Sequence, residues 1–363
     1  MPIRIISSNF ELLGEIDNYE SLIFTKRFFT VGEFEIHINI NKRHTDKLQE
    51  DNIIMLGSDA TKVGIIRHKE IKLDENGNAT ETLLVKGSTL KGVLNRRITV
   101  PPQGQGYDRI NDNGETVMKH YVNSNCINPA DANRIIPQII LASDIKRGIQ
   151  VPWQTRFENL DLVMEEVGTF TQLGWDIYLD TINNKWVFDV YEGNNLTVDQ
   201  YLLPPVIFST EFDNIKGQQY INSSLNYKNL AYAGGKGEEE DRVIQQIGDA
   251  QGLNRLETFL DCSSAEDIDD LITLGEQGLS EYAKIESFEA GILHTGSFIY
   301  GLDWNIGDLV TIQNKKWGIT MNTRVIEVTE TFESNGYNLN VGVGSAIPTL
   351  LTKIKKLSNS LIK

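Results

Sequence analysis

Hydrophobic and polar positions alternate most clearly where Phe34, Ile36, Ile38 and Ile40 are interleaved with Glu35, His37 and Asn39. A period of two sends one face to a core and the other to water, so this stretch predicts a strand. Ile53 to Leu56 predicts a shorter strand, and the runs Val63 to Leu73 and Thr80 to Val85 flank Asp74-Glu75-Asn76-Gly77-Asn78. Asn76-Gly77 supplies the positive φ angles of a tight hairpin turn. Ser88 then stands where it would cap a short helix over Thr89 to Asn95, which Pro101-Pro102 stops.

From Gln103 to Leu203 the period becomes mixed. A helix is expected over Glu115 to Val122 and another over Asn159 to Phe170, where Leu160, Val163, Met164, Val167 and Phe170 share a face. Gly174 is expected to end it, before a hairpin of Trp175 to Asp180 and Lys185 to Tyr191 around Asn183-Asn184. At the middle of the chain Leu225 to Ala233, Asp241 to Ile247 and Arg255 to Leu260 read as a β-meander, with the Gly/Glu tract Gly234 to Glu240 as an exposed loop. A helix capped by Ser264 is expected over Ala265 to Tyr282, weakened in its second half by Gly275 and Gly278. Short strands follow at Phe288 to Leu293, Leu309 to Ile312, Trp317 to Met321, Arg324 to Phe332 and Tyr337 to Val343, with a turn at Ser334-Asn335-Gly336. Such spacing predicts a small barrel or sandwich. After Pro348, Leu350, Ile354, Leu357 and Leu361 line one helical face of a basic tail, which reads as a docked helix or a partner-binding segment.

The expected class is α+β, mostly β, with two small β-barrel-like domains and an α/β segment between them. The divisions are an N-terminal barrel-like domain at 1–101, an α/β domain at 102–205 and the central meander at 206–262, followed by a second barrel-like domain with a helix at 263–345 and the basic amphipathic tail at 346–363.

Composition narrows the chemistry. A net charge of −16 over 363 residues argues against tight binding to nucleic acid, whose phosphates are gripped by Lys and Arg. An acidic wall past which DNA slides is compatible with it. Cys126 and Cys262 lie far apart, in neither a disulfide framework nor a zinc spacing, and read as free core thiols. There is no signal-peptide pattern at the start and no apolar run of membrane-spanning length, which predicts a soluble protein made in a cytoplasm without membrane insertion. His37, His44, His68, His120 and His294 form no metal-ligand spacing, and no GxSxG or SxxK motif is present. The alternating Asp74, Asn76 and Asn78 fail as a calcium loop, since Ala79 and Val85 stand where an EF-hand needs Gly and Glu. Gly104-Gln105-Gly106 reads as a plain loop. Trp153, Trp175, Trp186, Trp304 and Trp317 read as core or strand residues. Arg242, Arg255 and Glu257 fall on predicted strands of the meander; they would either fix a subunit interface by charged hydrogen bonds or form exposed cross-strand pairs.

Several blocks resemble, in order over residues 1 to 345, a siphovirus-type phage tail protein family. They are KGSTLKGVLNRRIT (Lys86 to Thr99), GETVMKHYVNSN (Gly114 to Asn125), RIIPQIILASDIKRG (Arg134 to Gly148) and RFENLDLVMEEVG (Arg156 to Gly168), then GWDIYLD, KWVFDVYEG, YKNLAYAGGKGEEEDRV, GLNRLETFLDC, WNIGDLVTI and TRVIEVTETF. The family is similar in layout to the baseplate hub proteins of contractile tails. That likeness implies a homotrimer whose paired barrels make a six-fold-like ring, joining the tail tube to a spike or tip and surrounding a lumen. Its partners would be the tail tube protein, the spike or tip protein and other baseplate proteins, with DNA at most passing through. The resemblance carries no catalytic residue, cofactor or metal, and implies a place in a virion or tail-like particle assembled in a bacterial cytoplasm. Two other readings stand beside it: a tail-associated cell-wall hydrolase built on two close carboxylates, and a carbohydrate- or receptor-binding tail module. The tail Thr349 to Lys363 matches nothing in the family pattern.

Overall fold

The computed structural model describes residues 1–73, 79–293, 296–334 and 336–344. The turn Asp74 to Asn78, His294, Asn335 and the tail residues Leu350, Ile354, Leu357 and Leu361 lie outside the described residues. The protein is α+β and mostly β, and it forms two compact units, residues 1–218 with 289–343, and residues 219–288 with Gly344.

The large unit opens with β1 (Ile3–Ile6), β2 (Leu12–Ile16), β3 (Ser21–Arg27), β4 (Glu33–Asn39), β5 (Ile53–Leu56), β6 (Val63–Leu73) and β7 (Ala79–Thr89). Next come β8 (Asp108–Asn113), α1 (Gly114–Val122), β9 (Ile139–Leu141), β10 (Gln150–Thr155) and α2 (Leu160–Thr171). The hairpin β11 (Gly174–Asp180) and β12 (Lys185–Tyr191) then leads to β13 (Ile207–Ser209). The strand β14 (Ile215–Ser223) carries the chain into the small unit, which holds β15 (Leu230–Gly234), β16 (Ile244–Ile247), β17 (Glu257–Asp261) and α3 (Ile268–Ser280). Return is through β18 (Ile285–Ile292), followed by β19 (Leu309–Asn314), β20 (Ile319–Glu333) and β21 (Gly336–Gly344).

One sheet of 13 strands runs β14-β18-β21-β20-β3-β4-β7-β6-β5-β1-β2, with β19 on β20 and β13 on β19. Its centre joins distant parts of the chain: β20 pairs antiparallel with β3, Thr329 opposite Thr25, and their hydroxyls share a 2.9 Å hydrogen bond. The alternation in β4 is as expected, with Phe34, Ile36 and Ile38 buried on one core beside Leu22, Phe24, Leu83 and Val85. Every residue of β5 is buried, because Ile54 and Leu56 face that core while Ile53 and Met55 face a second one. A strand covered on both faces needs a continuous apolar run, and IIML supplies it.

The second core is the α/β part. Val117, Met118 and Tyr121 of α1 and Leu160, Val163, Met164 and Val167 of α2 meet Trp175, Ile177 and Phe188 of the β11-β12-β9 sheet. Fully burying each such side chain stabilises by roughly 1.5–3 kcal/mol. Several local expectations change here. Residues 90–96 form a 3-10 helix whose N-cap Thr89 makes no side-chain capping bond, its hydroxyl accepting instead from the Gly32 N–H, while Ser88 belongs to β7, since pairing with β6 outweighs the local capping signal. The end of α2 is turned by Gln172 in the left-handed region (φ 59), and Gly174 instead makes room, since a Cβ there would meet the Phe28 ring at 2.2 Å. The two strands expected over Trp317 to Phe332 are one strand, β20, because both of its halves find partners, β19 first and β3 after. Of the five tryptophans, four are buried and Trp317 is 49% exposed, in the turn between β19 and β20 and not in a core or strand.

In the small unit the strand order is β16-β15-β17, with β16 antiparallel and β17 parallel to β15. This corrects the meander: the link from β16 to β17 crosses over instead of turning back, so Glu257 to Asp261 lie beside Leu230 to Gly234 in the same direction. The cap of α3 is Asp267, whose side chain accepts from the Asp270 N–H at 2.9 Å, and Ser264 precedes the helix.

Candidate interaction surfaces

Alternation along β15 gives the small sheet two different faces. Ala231 and Ala233 are buried under α3 with Ile247, Cys262, Ala265 and Leu271. Gly275 and Gly278 are what let the helix lie so close, since a Cβ on Gly275 would meet Ile247 at 2.7 Å and one on Gly278 would meet Leu260 at 2.9 Å. Their cost in helix propensity, about 1 kcal/mol each, is offset by the contact they permit. The opposite face carries Tyr232 and Phe259 as register neighbours, with Phe259 53% exposed and Ile244 46% exposed.

Arginines hold both ends of this outer face. Arg255 pairs with Glu257, donates to the Tyr232 hydroxyl and the Gln246 side chain, and lies 5.6 Å from the Tyr232 ring centre. Arg242 donates to Asp261 at 2.6 Å and to the Gly234 and Gly235 carbonyls, and lies 5.3 Å from the Phe259 ring. The hydrogen bond that Arg255 donates to Glu257 raises its guanidinium above its ordinary value. At Asp261 burial pushes the carboxyl up, but hydrogen bonds from Ser263 and Arg242 outweigh it and hold it below the usual range. Of the three residues singled out from the sequence, only Glu257 lies on a strand. Arg242 follows the 3-10 turn Glu239–Asp241 and Arg255 follows the turn Gly252–Asn254. Arg255 and Glu257 are brought together; Arg242 belongs to a separate pair.

Ionisable groups inside the large unit are committed to structure. Lys91, fully buried, donates to the Arg27 and Phe28 carbonyls at 2.8 and 3.2 Å and sits 4.1 Å over the Trp175 ring. Burial pushes its ammonium down to about 7, against the opposing charge of Asp176. Glu115 pairs with Lys119 and with Arg147 at 3.1 Å, and also accepts the Arg147 N–H. Asp308, whose carboxyl burial raises, accepts from the Asn194 and Asn305 N–H groups and so ties two loops. His37, His68 and His120 each sit beside a carboxylate, of Glu35, Glu70 and Asp108. Burial raises the Cys126 and Cys262 thiols to about 12 and about 11, far from the thiolate a nucleophile or metal ligand needs. Among the described residues no three His, Cys, Asp or Glu side chains converge to hold a metal, and no helix is long and apolar enough to cross a membrane.

Sequence reasoning passed over one feature, an open cleft of about 280 Å³ lined by Asn95, Arg96, Arg97, Ile98, Asn133 and Arg134. Arg97 and Arg134 stand 37 positions apart, and only the fold joins them.

The chain shares its fold with solved tail proteins along nearly its whole length. A 43 kDa tail protein of prophage MuSo2 from Shewanella oneidensis is similar with a TM-score of 0.61 at 12% identity, covering 94% of this chain and 98% of that one. A tail protein from Neisseria meningitidis MC58 gives 0.57 at 13% identity, covering 94% and 96%. Prophage tail protein gp18 from Listeria monocytogenes EGD-e gives 0.52 at 8% identity, with all of both chains covered. No curated protein sequence matches the chain. The siphovirus ReqiPepy6 Gp37-like family matches residues 2–345, and the chain belongs to that family.

Proposed function

We propose that this chain is a structural hub protein of a phage tail or tail-like particle. In this reading it forms a homotrimeric ring that joins the tail tube to the central spike or tip and lines the lumen, with other baseplate proteins around it. The carrying observation is the family match over residues 2–345, supported by a fold shared end to end with three tail proteins. The net charge of −16 fits a wall that repels passing DNA. The two barrel-like regions at 1–101 and 263–345 belong to the same proposal, as the parts that would repeat around a six-fold-like ring. The outer face of the small sheet, with Arg242, Arg255 and Glu257 at its ends, is proposed as an interface. Tyr232 and Phe259 supply the aromatic area typical of interface centres. The segment carrying Leu350, Ile354, Leu357 and Leu361 is proposed to dock a neighbouring tail component. Neither a hydrolase nor a sugar-binding reading gains from the buried carboxylates, which are spent on Lys119, Arg147 and loop amides. The test is the solution mass by light scattering, alone and with the neighbouring tail proteins. A trimer in either setting is the expected result. A monomer with every partner, joined to cell-wall cleavage, overturns the proposal.

A further inference from the structure

The cleft at Arg96, Arg97 and Arg134 is a concentration of positive charge in an acidic protein. Arg96 pairs with Asp51. Arg97 and Arg134 have no such partner: their hydrogen bonds run to neutral oxygens and no carboxylate lies within ion-pair distance among the described residues. Arg97 donates to the Arg134 carbonyl at 2.8 Å and to the Arg96 carbonyl at 2.9 Å, while Arg134 donates to the Ile98 carbonyl and to Asn125 Oδ1. These bonds fix both guanidinium groups at the cleft while leaving their charge unneutralised. Burial first, and then the positive charge of nearby Arg97, lower the Arg134 guanidinium. Asp131, the acid whose charge reaches Arg134, already accepts the Asn133 N–H and its side-chain amide.

Two fixed arginines beside exposed Ile98 and Ile135 suit a carboxylate-bearing segment with some apolar contact. A DNA backbone is a poor occupant, because the remaining charge of the chain repels it. The chain itself carries a complementary segment. Glu238, Glu239, Glu240 and Asp241 are all exposed, and among the described residues none of their carboxylates accepts a hydrogen bond or ion pair. Backbone bonds from Asp241 N–H to the Glu238 carbonyl and from Val243 N–H to the Lys236 carbonyl, both 3.0 Å, hold the turn in shape. We infer that the Glu238 to Asp241 turn of one copy seats in the arginine cleft of a neighbouring copy, a head-to-tail contact that closes a ring. This rests on the self-assembly proposed above. Charged pairs that become desolvated at an interface have the strength to fix register and steer association.

The experiment measures self-association of the full chain by light scattering and sedimentation, with its tail partners present where the wild type needs them. Arg97→Glu with Arg134→Glu should weaken assembly by about tenfold or more. Because those arginines also bond to backbone, the independent variant Glu238→Lys/Glu239→Lys/Glu240→Lys, on an exposed turn, should weaken it equally, and the two reversals combined in one chain should restore it. Raising salt toward 1 M, where the Debye length is about 3 Å, should weaken the wild type. Wild-type assembly that neither reversal alters overturns this contact and leaves the ring standing. Loss of duplex DNA binding in the arginine variant, with assembly unchanged, overturns it in favour of a nucleic-acid site. A wild type that never assembles under any condition overturns the ring itself.

Discussion

Phe28 of the large unit and Phe259 of the small one have opposite surroundings. Phe28 is 0% exposed, set edge-on to Phe29 and Tyr191, with the Arg324 guanidinium 5.1 Å from its ring and Gly174 and Gly307 giving it space. Beside it, the Arg27, Phe28 and Phe29 carbonyls take Lys91 Nζ and the Trp175 indole N–H. Phe259 is 53% exposed and has Arg242 across its ring, on a sheet whose other face is covered by α3. Phe28 is enclosed by its own unit, whereas among the described residues the Phe259 ring stays half exposed. A packed junction tolerates no added atom, whereas a bare face tolerates most changes until a partner covers it.

Breaking the junction should give the largest effect. Gly307 has φ +95, and a Cβ there would meet the Phe28 ring at 2.4 Å. Gly307→Val should therefore destabilise the large unit by roughly 2–6 kcal/mol, from overpacking and backbone strain together. Calorimetry reads this as a lower Tm for that unit; a change below about 1 kcal/mol would mean the ring moves aside freely.

Lys91 gives a pH-dependent test of intermediate size. Its folded value of about 7 lies below the ordinary 10.5, so between them the unfolded chain binds a proton that the folded one does not. Stability from this group therefore rises with pH across that window, by at most about 1.4 kcal/mol per pH unit. Lys91→Met removes the slope, so the wild type should gain on the variant from pH 7 to pH 9 in denaturant unfolding. A constant difference would mean that the two carbonyls and the Trp175 face keep the ammonium charged throughout. Smallest of all, Phe259→Ser should change stability by no more than about 0.5 kcal/mol, yet weaken association if the bare face is an interface. A loss above 1 kcal/mol would sink the contrast between the two units.

What was legible in the sequence was local. The alternation of Phe34, Ile36 and Ile38 and the stripe Leu160, Val163, Met164, Val167 each repeat within a few residues, and the fold keeps them. The place of β3 beside β20 has no such signal, because register between residues some 300 positions apart depends on the whole sheet. The parallel course of β17 was hidden for a similar reason: glycine-rich turns mark where a chain bends, not which neighbour it then chooses. At the surfaces, Arg255 and Glu257, two positions apart, pair at the start of a strand and not across it. Gly275 and Gly278 were read as weak points of a helix, since their use as contact positions exists only once Ile247 and Leu260 lie against them.

The pairing of β3 with β20 also sets an order of events. During synthesis, residues 21–27 leave the ribosome long before residues 319–333 exist, so the edge of β3 that β20 covers waits for its partner until then. The β4 side can zip early with β7, Phe34 opposite Gly87, but the sheet cannot be finished before β20 and β21 arrive. A message broken before that point yields a chain with an open strand edge, prone to aggregate and be cleared. Completion of the sheet thus makes the covering of an early strand depend on residues made some 300 positions later.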